Sequence, residues 1–122
     1  MNPQFLAELA VDPRNFLLVA QQDDEAGPVL GTVFMTICPD PMFDRACYAL
    51  LEDVIVTGPS RNRGVGRQLL EHAEQIARLH HCNRIMLLSN SQRSDAHRFF
   101  ERAGFDGGRK RGFVKYLTRP LA

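Results

Sequence analysis

Residues 54–70, Val-Ile-Val-Thr-Gly-Pro-Ser-Arg-Asn-Arg-Gly-Val-Gly-Arg-Gln-Leu-Leu, constrain the fold more than any other stretch of the sequence. The β-branched start is typical of a strand, and Gly58-Pro59 ends it. A basic loop with two glycines follows, and the apolar pattern that begins at Leu69 predicts an amphipathic helix. The stretch therefore predicts a strand, a loop and a helix in immediate succession.

Such a turn is suited to binding an anion. The first backbone N–H groups of a helix have no intrahelical partners, and the helix dipole places partial positive charge on them. Gly64 and Gly66 allow a close approach of the backbone, while Arg61, Arg63 and Arg67 add charge that suits a diphosphate. The pattern is neither GxxxxGK[ST] nor GxGxxG, because Leu69 stands where a dinucleotide fold places its third glycine.

Length and charge narrow the class of protein. A chain of 122 residues is predicted to form one domain, residues 1–122. The net charge of +1 gives no reason to expect nucleic acid or a membrane as partner, and the start of the chain does not resemble a signal peptide. We therefore expect a cytoplasmic protein whose three cysteines, Cys38, Cys47 and Cys82, are reduced thiols.

The remaining elements follow from apolar periodicity and turn residues. One helix is predicted over residues 3–10. A second helix follows the basic loop, with an apolar stripe that ends at Leu79, and a third helix ends at Ala103, with Gly104 as its stop. Strands are predicted over 16–21, 29–37, 46–56, 84–88 and 113–117, with a break at Cys38-Pro39-Asp40-Pro41. Gly31 indicates a bulge or a close backbone approach.

Three segments in order resemble the GCN5-related N-acetyltransferase (GNAT) family. They are the acidic-then-apolar strand 51–56, the loop 61–66 with Leu69-Leu70 behind it, and Asn90 followed by Ala96-x-x-Phe-Phe-Glu-Arg-Ala-Gly-Phe105. Together they cover residues 46–105, with a compatible strand after them. The chain is shorter at the N-terminus than is usual in the family, in a region that often shapes the acceptor pocket.

The resemblance implies an α/β (α+β) fold with a mixed, mostly antiparallel sheet, in which the parallel strands 46–56 and 84–88 splay apart and admit acetyl-CoA as co-substrate. It implies the following cofactor-binding residues: Val54, Ile55, Val56, Arg61, Asn62, Arg63, Gly64, Val65, Gly66, Arg67, Asn90, Phe99 and Phe100. The family commonly has a tyrosine where this chain has Phe100, so solvent, Tyr48 or Tyr116 would have to supply the proton to the leaving thiolate.

Glu52 is the candidate catalytic base, because an acceptor amine must lose a proton before it attacks. The alternative is an exposed strand residue in a surface ion pair. Asp53 should point to the opposite face and is interpreted as structural. The four histidines lack ligand spacing, so no metal is expected, and Arg109-Lys110-Arg111 is interpreted as a solvated turn.

These features predict an N-acetyltransferase that moves acetyl from acetyl-CoA to the primary amine of a small molecule or peptide in a ternary complex. The alternative is a non-catalytic module that binds acyl-CoA. A nucleic-acid-binding domain is disfavoured by the charge balance, and a homodimer is left open.

Overall fold

The computed structural model describes residues 2–22, 27–42, 45–61 and 63–118. The chain divides into two compact units, residues 1–87 and 88–122. The predicted turn at 23–28 and the loop up to Arg45 lie partly outside the described residues. The elements in chain order are α1 (Pro3–Val11), β1 (Asn15–Gln21), β2 (Val29–Asp40), β3 (Ala46–Val56), a 3₁₀ turn (Gly58–Ser60), α2 (Val65–Leu79), β4 (Cys82–Leu87) and α3 (Ser94–Arg102).

The first unit contains a mixed four-stranded sheet in the order β1-β2-β3-β4. The pairs β1–β2 and β2–β3 are antiparallel, whereas β3 and β4 are parallel. A parallel pair needs a long crossover, and α2 provides it. The predicted mixed, mostly antiparallel sheet with a parallel strand pair is confirmed.

The core of this unit lies between the sheet and α2. One face of the sheet presents Val33, Met35, Ala49 and Leu51, all at most 1% exposed. α2 covers this face with Leu69, Leu70, Ala73 and Ala77, which recur at helical spacing and are buried. Leu79 was expected to continue the stripe but is 76% exposed, because it lies two positions after the buried Ala77 and therefore points away from the buried face of the helix. α1 packs near the opposite face, where Leu6, Leu9, Leu17 and Phe34 line an apolar groove.

β2 extends further than its sequence predicts. Residues 38–40 remain paired with β3, through Cys38 with Tyr48, Pro39 with Cys47 and Asp40 with Ala46. β1 begins opposite Thr36, so this end of β2 has β3 as its only strand partner in the described sheet. Pro39 is tolerated here because its missing N–H removes no bond to β1.

The strand predicted over 113–117 is not formed. Residues 110–116 have no regular secondary structure, and the apolar side chains in the segment are exposed: Phe113 87%, Val114 61%, Tyr116 69% and Leu117 89%. A strand pattern needs a neighbouring strand and a buried face before it forms a ladder. Local sequence could not supply that information.

A partly buried ion pair fastens β2 to β4. Arg84 Nη2 donates to Asp40 Oδ2 at 3.0 Å, and the Arg84 guanidinium lies 4.5 Å from the centre of the Tyr48 ring. Asp40 is only 8% exposed. We expect Arg84→Ala to lower the free energy of unfolding by about 1.5 kcal/mol, because it leaves a buried carboxylate without its partner.

Urea denaturation checks this value. The matched control is Arg78→Ala, which removes an exposed pair with Glu74 on the surface of α2 and should change stability by less than about 0.5 kcal/mol. Equal changes in the free energy of unfolding for the two variants would show that the Asp40–Arg84 pair stabilises the fold no more than an exposed ion pair does.

Candidate active site

The turn after β3 is held by short-range hydrogen bonds. Thr57 N donates to Leu30 O at 2.9 Å, and the Thr57 hydroxyl donates to Ser60 Oγ at 2.8 Å. Arg61 N closes the 3₁₀ turn on Gly58 O at 3.2 Å, and Arg61 Nε reaches back to Val56 O at 3.4 Å. The basic loop therefore begins directly against the end of β3.

The helix that follows begins without a side-chain cap. Gly64 is its N-cap, in the left-handed conformation at φ 82°, and accepts the first helical hydrogen bond from Gln68 N at 3.0 Å. A residue with a Cβ is strained in that conformation, which explains the glycine. The first turn carries no acidic residue. Its first N–H groups, at residues 65–67, therefore keep the anion-binding character predicted from the sequence.

Three arginines lie next to this helix start in the sequence. Arg61, Arg63 and Arg67 are exposed, and Arg67 Nε lies 3.8 Å from Glu71 Oε1 on the helix surface. Val65 and Gly66 are buried. Asn62, the remaining residue predicted for the loop, lies outside the described residues. The loop thus combines exposed positive charge with a buried helix start.

The end of β3 is distorted by a bulge. Thr32 pairs with Ile55 but Phe34 pairs with Glu52, so β3 has one extra residue at this point. Asp53 has φ 52°, a left-handed conformation that costs a residue with a Cβ about 1–2 kcal/mol. Asp53 therefore breaks the strand alternation from which its opposite orientation was predicted.

The bulge coincides with the point where β3 and β4 part. The parallel ladder ends at Leu51 and Leu87, whereas β3 continues to Val56. Within the described sheet, residues 52–56 therefore have no strand partner on the β4 side. Val54 and Val56 are half-buried, and Ile55 is 57% exposed. This free edge leads directly into the basic loop.

Glu52 lies in a row of side chains that crosses three strands. Leu17 pairs with Phe34, and Phe34 pairs with Glu52, so all three side chains occupy the same face of the sheet. Leu17 and Phe34 also line the groove beneath α1, together with Leu6, Leu9, Ala10 and Asn15. Glu52 itself is exposed. A carboxylate therefore borders an apolar groove close to the free edge of β3.

The predicted residues Asn90, Phe99 and Phe100 belong to the second unit. Asn90 Oδ1 accepts from Gln92 N at 2.9 Å, and Asn90 O lies 2.8 Å from His97 Nε2, which fixes the turn before α3. Phe100 contacts Phe99 and Phe105, with ring centroids 5.3 Å and 6.1 Å apart. Both members of the aromatic pair are half-buried in the second unit, and their contacts with a cofactor stay a prediction.

The described residues contain neither a metal site nor a membrane-spanning helix. No three His, Cys, Asp or Glu side chains in this part of the chain converge as a metal site. No helix in the same residues has the length and apolar character needed to span a membrane.

Sequence reasoning missed two features of the site. Phe34 was interpreted as an ordinary strand residue, because only the register places it between the groove and Glu52. The bulge at Asp53 was also missed, since a non-glycine residue at positive φ carries little sequence signal. The adjacent acidic residues Glu52 and Asp53 interrupt a mostly apolar strand, and this interruption was the sequence signal that could have indicated the bulge.

Comparison with known proteins identifies a family and a fold. The sequence model described as the acetyltransferase (GNAT) family matches residues 2–105. An uncharacterized N-acetyltransferase of Bacillus subtilis is 28% identical over 102 residues, which cover 80% of this chain and 67% of that protein. The aminoalkylphosphonate N-acetyltransferase of Salmonella typhimurium is 38% identical over 55 residues, 45% of this chain and 36% of that protein.

Solved structures show the same fold. A structure from Agrobacterium tumefaciens, named for an acetyltransferase, superposes with a TM-score of 0.81 and 26% identity. The superposition covers 93% of this chain and 76% of that chain. The glucosamine-6-phosphate N-acetyltransferase of Arabidopsis thaliana reaches the same TM-score at 16% identity, over 94% of this chain and 76% of that chain, and shows the fold alone.

Proposed function

We propose that this chain, which belongs to the acetyltransferase (GNAT) family, transfers an acetyl group from acetyl-CoA to a primary amine by direct attack in a ternary complex. The observation that carries the proposal is the junction of the free edge of β3 with the start of α2, where neither a side-chain cap nor an acidic residue occupies the first turn. Such a junction suits a ligand with a diphosphate at one end and amides at the other.

The helix start would hold the diphosphate. Its free N–H groups and the partial positive charge of the helix end favour a phosphate, and each charge-assisted hydrogen bond contributes about 1.5–3 kcal/mol. Arg61, Arg63 and Arg67 are exposed and add positive charge beside the helix start. Gly66 is buried at the second helical position, where a side chain would stand between the backbone and the ligand.

The free edge of β3 would hold the pantetheine arm. Amide groups of an extended ligand can pair with an unoccupied strand edge as another strand does. Val54, Ile55 and Val56 would supply the backbone groups, and their N–H groups would stabilise negative charge on the thioester oxygen during attack. The bulge at Asp53 supports this role, since local backbone strain of this kind clusters at functional sites.

The groove beneath α1 would admit the acceptor. Its lining is apolar apart from Asn15, and Glu52 stands at its border next to Phe34 in the row across the sheet. An amine that enters there would meet the carboxylate before the thioester. The Salmonella relative is named for an aminoalkylphosphonate, which is an amine, and we propose a small-molecule or peptide amine as acceptor for this chain.

The reaction then needs one nucleophilic step and three proton movements. Glu52, directly or through water, accepts a proton from the ammonium group, and the free amine attacks the carbonyl carbon. A C–N bond forms, the C–S bond breaks, and the electron pair leaves on the sulfur. The second amine proton is lost to water, and the thiolate takes a proton from solvent, because Phe100 has no acidic hydrogen to give.

The leaving thiolate needs little help from a general acid, so a phenylalanine at position 100 is compatible with acetyl transfer. A thiol has a pKa of about 8.5 when it behaves like free cysteine, so its thiolate is a fairly good leaving group.

We also propose that residues 1–122 act together as one N-acetyltransferase domain in the cytoplasm.

A non-catalytic module that binds acyl-CoA is the second candidate, and the replacement of the usual tyrosine by Phe100 favours it. Release of free coenzyme A thiol from acetyl-CoA, measured with and without a panel of primary amines, distinguishes the two. The proposal predicts amine-dependent release together with an acetylated product. Tight acetyl-CoA binding without turnover on any amine would support the module instead.

Substitution of Glu52 tests the base. Glu52→Gln should leave acetyl-CoA affinity unchanged and lower kcat/KM by about 100-fold, within the range typical of general bases. The loss of rate toward acidic pH that a carboxylate base produces should also disappear. Asp53→Asn is the matched control, since asparagine also tolerates the left-handed conformation at that position. An unaltered pH–rate profile in Glu52→Gln would remove Glu52 as the base.

A further inference from the structure

We propose that Cys47 and Cys82 form a reversible dithiol–disulfide site that a hydroperoxide oxidises, independently of acetyl transfer. The two cysteines are 35 positions apart in the sequence, yet they are direct partners in the parallel ladder of β3 and β4. Their Sγ atoms lie 3.4 Å apart. The structure therefore brings together two thiols that sequence spacing did not connect.

The spacing of neighbouring strands is compatible with a disulfide. Neighbouring strands are about 4.8 Å apart, within the range of about 4.4–6.8 Å that disulfide-bonded Cα atoms span. The sulfur atoms must approach by only about 1.4 Å to reach bonding distance. A rotation of the side chains supplies such a movement without separating the strands.

The two thiols have different surroundings, which affect their reactivity. Cys47 Sγ donates to the carbonyl oxygen of His80, 3.2 Å away in the turn between α2 and β4. Burial, followed by the hydrogen bond that Cys82 makes with Cys47, raises the pKa of Cys82 to about 12. Cys82 is therefore a poor nucleophile toward an oxidant, and we assign the first attack to Cys47. Both residues are half-buried, which leaves access for a small peroxide.

The chemistry balances with one equivalent of hydroperoxide. The Cys47 thiolate attacks a peroxide oxygen, the O–O bond breaks, and a sulfenic acid and water (or an alcohol) are formed. Cys82 then attacks the Cys47 sulfur and the S–O bond breaks, releasing a second water. Two thiols are oxidised to one disulfide, and the peroxide is reduced.

Cys38 is the internal control. It lies on the neighbouring strand β2, and its thiol donates to Thr36 O at 3.8 Å and not to either member of the pair. Cys38→Ser should therefore leave the oxidation unchanged. Cys47→Ser and Cys82→Ser should each prevent disulfide formation within the chain.

The test is graded oxidation of the reduced full chain with hydrogen peroxide, followed by intact mass, peptide mapping and thiol titration in denaturant. We expect loss of two hydrogens, a cross-link between Cys47 and Cys82, one remaining thiol of the original three, and full reversal by dithiothreitol. Unchanged thiols, a cross-link that involves Cys38, or bonds between chains would overturn the proposal.

A second readout concerns stability. The bond closes a long loop in the unfolded chain, so the oxidised form should have a Tm higher by roughly 10 °C. A lower Tm with the bond formed would mean that the native structure must distort to form it. That result would contradict the proposal that the folded chain already holds the two thiols in position for a disulfide.

Discussion

Replacing Gly31 with valine is expected to lower the free energy of unfolding by about 3 kcal/mol, with Gly31→Ala intermediate at about 2 kcal/mol. A Cβ at this position would lie 2.9 Å from the Ile55 carbonyl oxygen, 3.0 Å from Leu69 Cδ1 and 3.3 Å from Val65 Cγ1. The nearest atom belongs to the backbone of β3, so a side-chain rotation cannot relieve the clash. Either β3 or α2 must shift.

Urea denaturation of the two variants measures this effect. Gly58→Ala is the matched control, because no atom lies within 4 Å of a Cβ built there; its stability should stay within about 0.5 kcal/mol of the parent. Gly31 faces both the end of β3 and the start of α2, so we also expect weaker acetyl-CoA binding in folded Gly31→Ala. A neutral Gly31→Ala would contradict the close packing of these elements.

Gly66→Val should weaken acetyl-CoA binding by at least about 100-fold, equivalent to about 2.8 kcal/mol. Gly66 is buried in the first turn of α2, where a branched side chain would hold the diphosphate away from the free N–H groups. Two lost charge-assisted hydrogen bonds account for an effect of this size.

The measurement is the concentration of acetyl-CoA that gives half of the maximal Tm increase, with circular dichroism to establish that the variant folds. Gly66→Ala should show a smaller loss, and Gly58→Ala in the same turn should bind as the parent does. Unchanged affinity in folded Gly66→Val would rule out this helix start as the diphosphate site.

Local patterns predicted most of the first unit correctly. The strand over 46–56, the helix after the basic loop and the parallel pairing follow from periodicity and connection length, and the structure has them. The role of Gly31 was also recognisable, since a glycine inside a strand marks a bulge or a close approach, and both are present.

Features that depend on distant neighbours could not be predicted in the same way. Residues 113–117 have a strand-like pattern, but their apolar side chains are exposed and no ladder forms. β2 was predicted to end at Ile37 before the break at residues 38–41, although the position of Pro39 beyond the start of β1 lets the strand continue to Asp40. The contact of Cys47 with Cys82 likewise depends on the register of the parallel pair.

The structure adds three features to the basic loop. Its sequence predicts an anion site, and the structure adds the uncapped helix start, the strained Asp53 and the free edge of β3 in one continuous stretch. The groove lined by Phe34, the strand partner of Glu52, is where we propose that the acceptor binds.

Titration of the full chain with acetyl-CoA, followed by calorimetry and by Tm, tests the central proposal most directly. The account predicts saturable binding of one acetyl-CoA per chain with a rise in Tm, and competition by free coenzyme A. The absence of both binding heat and a Tm increase at about 1 mM acetyl-CoA, the upper end of ordinary KM values, would contradict the account.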